Sequence, residues 1–270
     1  MLFLIGRNNV ILFDRKKHHQ YLDMVSYLTK NFDYIFDYHG FCVAGLDQVP
    51  LLTNDAQATG EDVITQAVRL LGSLLDNNED GVPDNSELMA SLARNFVFLI
   101  GPESKLLQHE VVMENQFDRY AMTMKTDLWW FIPDYQASVC EVNRIDHAEW
   151  RPPRFNALWE EMFHTVTEGF NRYHSDWGFS PESFLGGCMQ RDIRAKQYDF
   201  EVLKRKHAGH YDWELAVNEY IHQVWLAHLL GLSHVLTNNQ RQVIQLMQAT
   251  PGFPMHINPV YPFAAAQRIK

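Results

Sequence analysis

Cysteine is scarce. The chain of 270 residues carries three, Cys42, Cys140 and Cys188, and no C-x-x-C pair. An odd, widely spaced set argues against a disulfide framework, so reduced and mostly buried thiols are expected. Positive charge is also short: 23 Lys and Arg stand against 33 Asp and Glu, a formal charge of −10. Nucleic-acid binding needs clustered positive charge, so a phosphate backbone is not an expected partner. The one basic run, RKKHH at 15–19, reads as a solvated turn. No stretch approaches the roughly 18 apolar residues of a membrane span. The opening MLFLIGRNNVILF is broken by Arg7, Asn8 and Asn9 and carries no small-residue cleavage site. It reads as two short strands rather than a signal peptide, which favours a cytoplasmic protein. G-x-S-x-G, Walker and G-x-G-x-x-G motifs are missing, as are internal repeats and low-complexity segments.

What remains is a chain of 46% hydrophobic and 21% charged residues, the balance of a soluble globular protein. One domain over 1–270 is expected, with a subdivision into 1–125 and 150–250 as the alternative. MLFLIG, NVILF, GFCVAGL, NFVFLIG and HEVVM are short apolar runs bounded by Gly, Asn or charge, and read as strands. Helical spacing appears at 19–31 and 61–75. Pro152 and Pro153 suit the run-in to a helix, and helices follow at 155–174, 190–207, 212–231 and 238–248. The fold class is therefore α+β, with a strand-containing first half and a mainly helical second half.

Residues 76–87 read DNNEDGVPDNSE. Asp76, Asn78 and Asp80 alternate, Gly81 follows where a turn needs positive φ, Val82 offers a carbonyl, and Asp84 and Glu87 complete six hard oxygen donors. This spacing wraps a single Ca²⁺. An apolar helical stripe precedes the loop (Val63, Ile64, Ala67, Val68, Leu71, Leu75), and ELMASLARN can begin an exiting helix. The loop resembles an EF-hand. The resemblance implies calcium ligation by Asp76, Asn78, Asp80, Val82, Asp84 and Glu87. Pro83 departs from the family where an aliphatic residue would pair with a second loop. No second loop is present, so a lone structural calcium site is expected rather than a sensor; the rival reading is an acidic turn.

Two helical stretches carry the remaining chemistry. In WEEMFHTVTEGF (159–170), Glu160, Glu161, His164 and Glu168 share the face opposite Phe155, Leu158, Trp159, Met162, Phe163, Val166 and Phe170. That face is either solvated or looks into a cleft. In DWELAVNEYIHQVWLAHLLG (212–231), Glu219 and His222 sit on a helix apolar nearly all round, so the helix is expected to be buried. An unpaired buried carboxylate costs several kcal/mol. A metal, an arginine or an imidazolium must neutralise Glu219, or it stays protonated. E-E-x-x-H followed by N-E-x-x-H is similar to the gluzincin pattern of zinc peptidases, H-E-x-x-H with a later glutamate ligand, though Glu160 replaces the first histidine. The resemblance implies Glu160, His164 and Glu219 as zinc ligands, Glu161 as general base, and His222 as an oxyanion stabiliser or ligand-orienting residue. Together with the acidic loop, the pattern also looks like a group of uncharacterised proteins that brings no activity with it.

The reading is thus a calcium-binding protein with a peptidase-like metallohydrolase site, acting on a peptide or small molecule. One alternative is a non-catalytic, calcium-stabilised interaction protein. Another is a di-iron carboxylate protein, in which Glu161-x-x-His164 and Glu219-x-x-His222 take further ligands from Glu110 or Glu114 and Glu182 or Glu201. His228-x-x-Gly231-x-x-His234 is similar to half of a metzincin motif, but Val224 and Trp225 stand where its first half needs His and Glu.

Overall fold

The chain reverses at His39 and Gly40. Both take positive φ, 50° and 90°, as a two-residue I′ turn requires. Asp37 Oδ1 accepts the Gly40 N–H at 3.1 Å. The turn joins β1 (Tyr34–Tyr38) to β2 (Phe41–Gly45) in antiparallel register, Tyr38 opposite Phe41. A computed structural model gives this arrangement and describes residues 15–47, 60–126, 157–198, 212–229, 231–256 and 267–270. Helix α1 (Arg15–Asn31) precedes the hairpin. Helices α2 (Gly60–Leu75) and α3 (Ser86–Asn95) then lead to β3 (Phe96–Gly101), which lies parallel to β2. Helix α4 (Glu103–Phe117) leads to β4 (Tyr120–Lys125), parallel to β3. A terminal strand, β5 (Gln267–Arg268), pairs antiparallel with β1, giving the sheet order β4-β3-β2-β1-β5.

Both faces of this sheet are covered. Ile35, Cys42, Ala44, Val97 and Leu99 pack against Met24, Leu28 and Phe32 near α1 and against Leu106, Met113 and Phe117 of α4. Phe36, Phe41, Val43, Phe96, Phe98 and Ile100 face the larger core with α2, α3 and the C-terminal helices. The alternation follows from the two-residue period of a strand. The crossover from β2 to β3 runs over one face and that from β3 to β4 over the other, while the strands advance in one direction. The two crossovers therefore have opposite hands, and one departs from the right-handed rule.

The second half supplies α5 (Ala157–Asn171), a 3-10 turn at Ser175–Trp177, α6 (Phe184–Arg194), α7 (Trp213–Leu229) and α8 (Asn238–Ala249). The architecture is α+β with a mainly helical second half. Among the described residues, no helix is long and apolar enough to cross a membrane.

Three local expectations need correcting. RKKHH lies at the start of α1, not in a turn. HEVVM lies inside α4, not in a strand: Leu106, His109, Met113 and Phe117 make a buried stripe at helical spacing, and Asp118 in the left-handed region ends the helix. The helix expected at 190–207 begins at Phe184 instead, because the Ser183 side chain accepts the Gly186 N–H at 3.1 Å and caps it. It ends at Arg194, near Lys196 with φ 58°. The strands expected within 1–13, the boundary at 125–150 and Cys140 lie outside the described residues, boundary residues 125 and 126 apart. Cys42 and Cys188 are free and buried.

Helix α5 sits tightly on α3. A Cβ on Gly169 would lie 2.7 Å from both Leu88 Cδ1 and Leu92 Cδ2, and Ser91 donates its hydroxyl to the Gly169 carbonyl at 3.0 Å. Gly169→Val is expected to force these helices apart at a cost of about 1–3 kcal/mol. A urea midpoint equal to that of the wild type would show that this contact is loose.

Candidate metal centre

The polar face of α5 looks inward. Thr165 and Thr167 are fully buried, His164 is 4% exposed, and Glu160, Glu161 and Glu168 are only partly exposed. What they meet is α7, whose central residues, His222 among them, are buried except for the partly exposed Glu219 and Gln223. The two helices are pinned by a side-chain hydrogen bond from Thr167 Oγ1 to Asn218 Oδ1 at 2.5 Å. Below them Phe163 stacks on Trp225 with ring centroids 4.1 Å apart, and Trp225 Nε1 donates to the Pro254 carbonyl at 2.7 Å.

Four side chains converge between the helices. His164 Nε2 lies 3.9 Å from Glu219 Oε2, and His222 Nδ1 lies 3.9 Å from Glu160 Oε1. Each of the four residues offers one ligand atom, and these atoms all lie within 4.8 Å of one another. Among the described residues this is the one group of three or more His, Cys, Asp or Glu gathered so closely. The spacing explains it. Glu160 and His164 are four apart on α5, Glu219 and His222 three apart on α7, so each helix presents a pair on a single face. The imidazoles meet edge to face, centroids 5.4 Å apart.

The electrostatics are unfavourable without a cation. Burial first, then the charges of Glu219 and Glu161, raise the Glu160 carboxyl well above the ordinary carboxylate range, and Glu160 also hydrogen-bonds to Glu219. Burial and the charge of Glu219 push Glu161 up to about 8, with Lys125 pulling the other way. Burial lowers His222 to about 3. Burial, and then His222 beside it, hold His164 well below the usual imidazole value. Both rings are therefore neutral at pH 7, the form in which a histidine binds a metal. His164 Nε2 is buried and has no hydrogen-bond partner. A buried ring nitrogen left unpaired costs free energy, and a cation bound at this nitrogen removes that cost.

The expected ligands Glu160, His164 and Glu219 thus come together. His222, expected to orient a ligand or hold an oxyanion, stands level with them as a fourth ligand candidate. Glu161 stays beside the cluster, within electrostatic reach of Glu219. Glu168 lies a turn further on, where Asn171 Nδ2 donates to it at 3.2 Å. The additional di-iron ligands are not gathered here. Glu110 and Glu114 belong to α4, Glu182 is exposed ahead of α6, and Glu201 lies outside the described residues. His228, near the end of α7, approaches Ser233 Oγ at 3.4 Å, and His234 is exposed; neither joins the cluster. Lys125, within electrostatic reach of Glu161, and Tyr198, within electrostatic reach of Glu219, carried no sequence signal.

The acidic loop is built differently. Gly81 has φ 83°, as its place in the spacing requires. Asp76 is fully buried, and its two carboxylate oxygens accept the Asp80 and Gly81 N–H groups at 3.2 and 2.8 Å. Asn78 and Asp80 accept further loop amides, while Asp84 Oδ2 turns back to the Asn77 N–H at 2.6 Å. Glu87 lies in the first turn of α3, behind the Asn85 cap, and Val82 is exposed. The side-chain oxygens of Asp76, Asn78, Asp80 and Asp84 are thus occupied with loop amides, and the loop's carboxylates do not gather as the cluster between α5 and α7 does.

No protein-family model, curated protein or solved structure matches the chain.

Proposed function

We propose that the protein is a metal-dependent hydrolase in which Glu160, His164, Glu219 and His222 hold one divalent cation and Glu161 accepts the proton of the attacking water. The observation that carries this reading is the buried His164 Nε2, without a hydrogen bond and 3.9 Å from a carboxylate oxygen. Two carboxylates balance a dication, and two neutral imidazoles complete an N₂O₂ set with no thiolate. Such a set suits Zn²⁺, with Fe²⁺ the nearest competitor. Ligand atoms at zinc lie about 3.4 Å apart for bonds near 2.1 Å, so a small inward movement closes the shell.

A bound dication lowers the pKa of a coordinated water and polarises a carbonyl. Glu161 is placed to take the proton because a dication bound at Glu219 would offset the negative charge that, after burial, pushes its carboxyl up to about 8, leaving a buried carboxylate as the base. The substrate is a peptide or small molecule. We assign a separate structural role to residues 76–87, where Ca²⁺ would replace loop amides as the partner of Asp76, Asp80 and Asp84, with Asn78, the Val82 carbonyl and Glu87 completing the shell.

A second reading has its own support. Four protein ligands saturate tetrahedral zinc, as in closed structural sites, which would make the centre a non-catalytic staple between α5 and α7. Glu161→Gln separates the two. Assayed on a panel of peptide and ester substrates, the catalytic reading expects zinc retained at one per chain and turnover reduced by about 10²–10⁴-fold. A zinc-loaded wild type that hydrolyses nothing on the panel leaves the staple.

A further inference from the structure

Tyr198 follows α6 and packs edge-on against Tyr220, ring centroids 5.0 Å apart. Tyr220 is the residue after Glu219, and its own hydroxyl donates to Asp192 Oδ2 at 2.7 Å. The Tyr198 hydroxyl is different. It is buried, it has no hydrogen-bond partner, and it lies within electrostatic reach of the Glu219 carboxylate without bonding to it. A fold gains nothing from a phenol oxygen held dry and unpaired. A phenylalanine would fill the same space without that cost. The hydroxyl makes sense if its partner is something the site binds.

We propose that Tyr198 donates its hydroxyl hydrogen to an anionic oxygen held at the metal beside Glu219, which makes it a further catalytic residue of the site. The inference rests on the metal reading above. The donor comes from a third element, after α6, whereas the four ligands come from α5 and α7 alone. Burial and the negative charge of Glu219 both raise the phenol's pKa, so Tyr198 keeps its proton at neutral pH and acts only as a donor. A neutral donor close to where negative charge develops can stabilise an oxyanion. Glu219 bound to the cation would not compete for this hydrogen, because its charge is directed to the metal.

The test uses the full chain loaded with Co²⁺, whose visible spectrum reports on its ligands, and azide as the anionic probe. Wild type and Tyr198→Phe are both expected to bind one Co²⁺ per chain. The variant is expected to bind azide about 10- to 100-fold more weakly, the worth of a hydrogen bond to a charged group. In the metal-free state its urea midpoint should equal or exceed that of the wild type, because no existing bond is lost. Equal azide affinity in the two loaded proteins overturns the role of Tyr198 and leaves the metal site standing. A lowered midpoint in the metal-free variant also overturns it, by revealing a structural hydrogen bond. Failure of the wild type to take up Co²⁺ overturns the metal reading, and the inference falls with it.

Discussion

Glu219→Ala is expected to strip the metal while leaving the fold intact. Alanine is the best helix former, and position 219 lies well inside α7. The substitution removes a carboxylate crowded against Glu160 and also the hydrogen bond between the two, so the metal-free variant should keep a stability within about 1 kcal/mol of the metal-free wild type. Affinity should fall far. Even a residue that only supports a ligand is worth about 10–100-fold in metal affinity, so losing a ligand should cost at least ~100-fold. His164→Ala should do the same and also abolish the unpaired ring nitrogen. Competition against a chromophoric chelator gives the affinities, and elemental analysis gives the stoichiometry. Retention of one zinc per chain by both variants would rule out the ligand assignment. The pH dependence has a definite sign. The Glu160 carboxyl holds its proton above the ordinary carboxylate range, and a ligand must be deprotonated to bind. Metal binding therefore releases protons, and affinity should go on rising with pH above the range in which an ordinary carboxylate has finished titrating.

Asp192→Ala is expected to cost about 4 kcal/mol, the largest stability loss of any single polar substitution considered. Asp192 is fully buried on α6. Its carboxylate accepts from Tyr220 Oη at 2.7 Å, Thr237 Oγ1 at 2.8 Å and Asn239 Nδ2 at 2.6 Å. Three helices are thereby tied at one anion: α6, the middle of α7, and the start of α8, where Thr237 also forms a capping box with Gln240. Removing the acceptor strands three donors, and each buried unsatisfied group costs about 1–3 kcal/mol. Tyr220→Phe removes one donor and leaves the other two bonded, so it should cost about 1 kcal/mol. Chemical denaturation measures both. Equal, small losses would mean that water replaces the carboxylate and that the knot is not what holds α7, and Glu219 with it, against α6.

Much of this was legible in the residues. The helices α2, α5, α7 and α8 follow from apolar spacing and caps, and β2 and β3 from short apolar runs buried on both faces. The site was legible as two pairs. An E-x-x-x-H and an E-x-x-H spacing each fix one helix face, and a glutamate on a nearly all-apolar helix signals that something must face it. Sequence spacing gives no distance between helices, however. That α5 turns its polar face inward depends on the Thr167–Asn218 bond and on Gly169 against α3, and periodicity treats a solvated face and a cleft-facing one alike. HEVVM misled because valines favour strands by propensity, while Leu106, Met113 and Phe117 settle the segment by packing. Asp192, Tyr198 and Lys125 were invisible for one reason: each acts through a partner far away in sequence, and no local pattern records it.

The most direct measurement is a crystal structure of the zinc-loaded protein with an anomalous difference map at the zinc edge. The account predicts one strong peak between α5 and α7, about 2.0–2.2 Å from His164 Nε2, His222 Nδ1 and carboxylate oxygens of Glu160 and Glu219. A map with no peak there, and a water or side chain hydrogen-bonded to His164 Nε2 in its place, would contradict it.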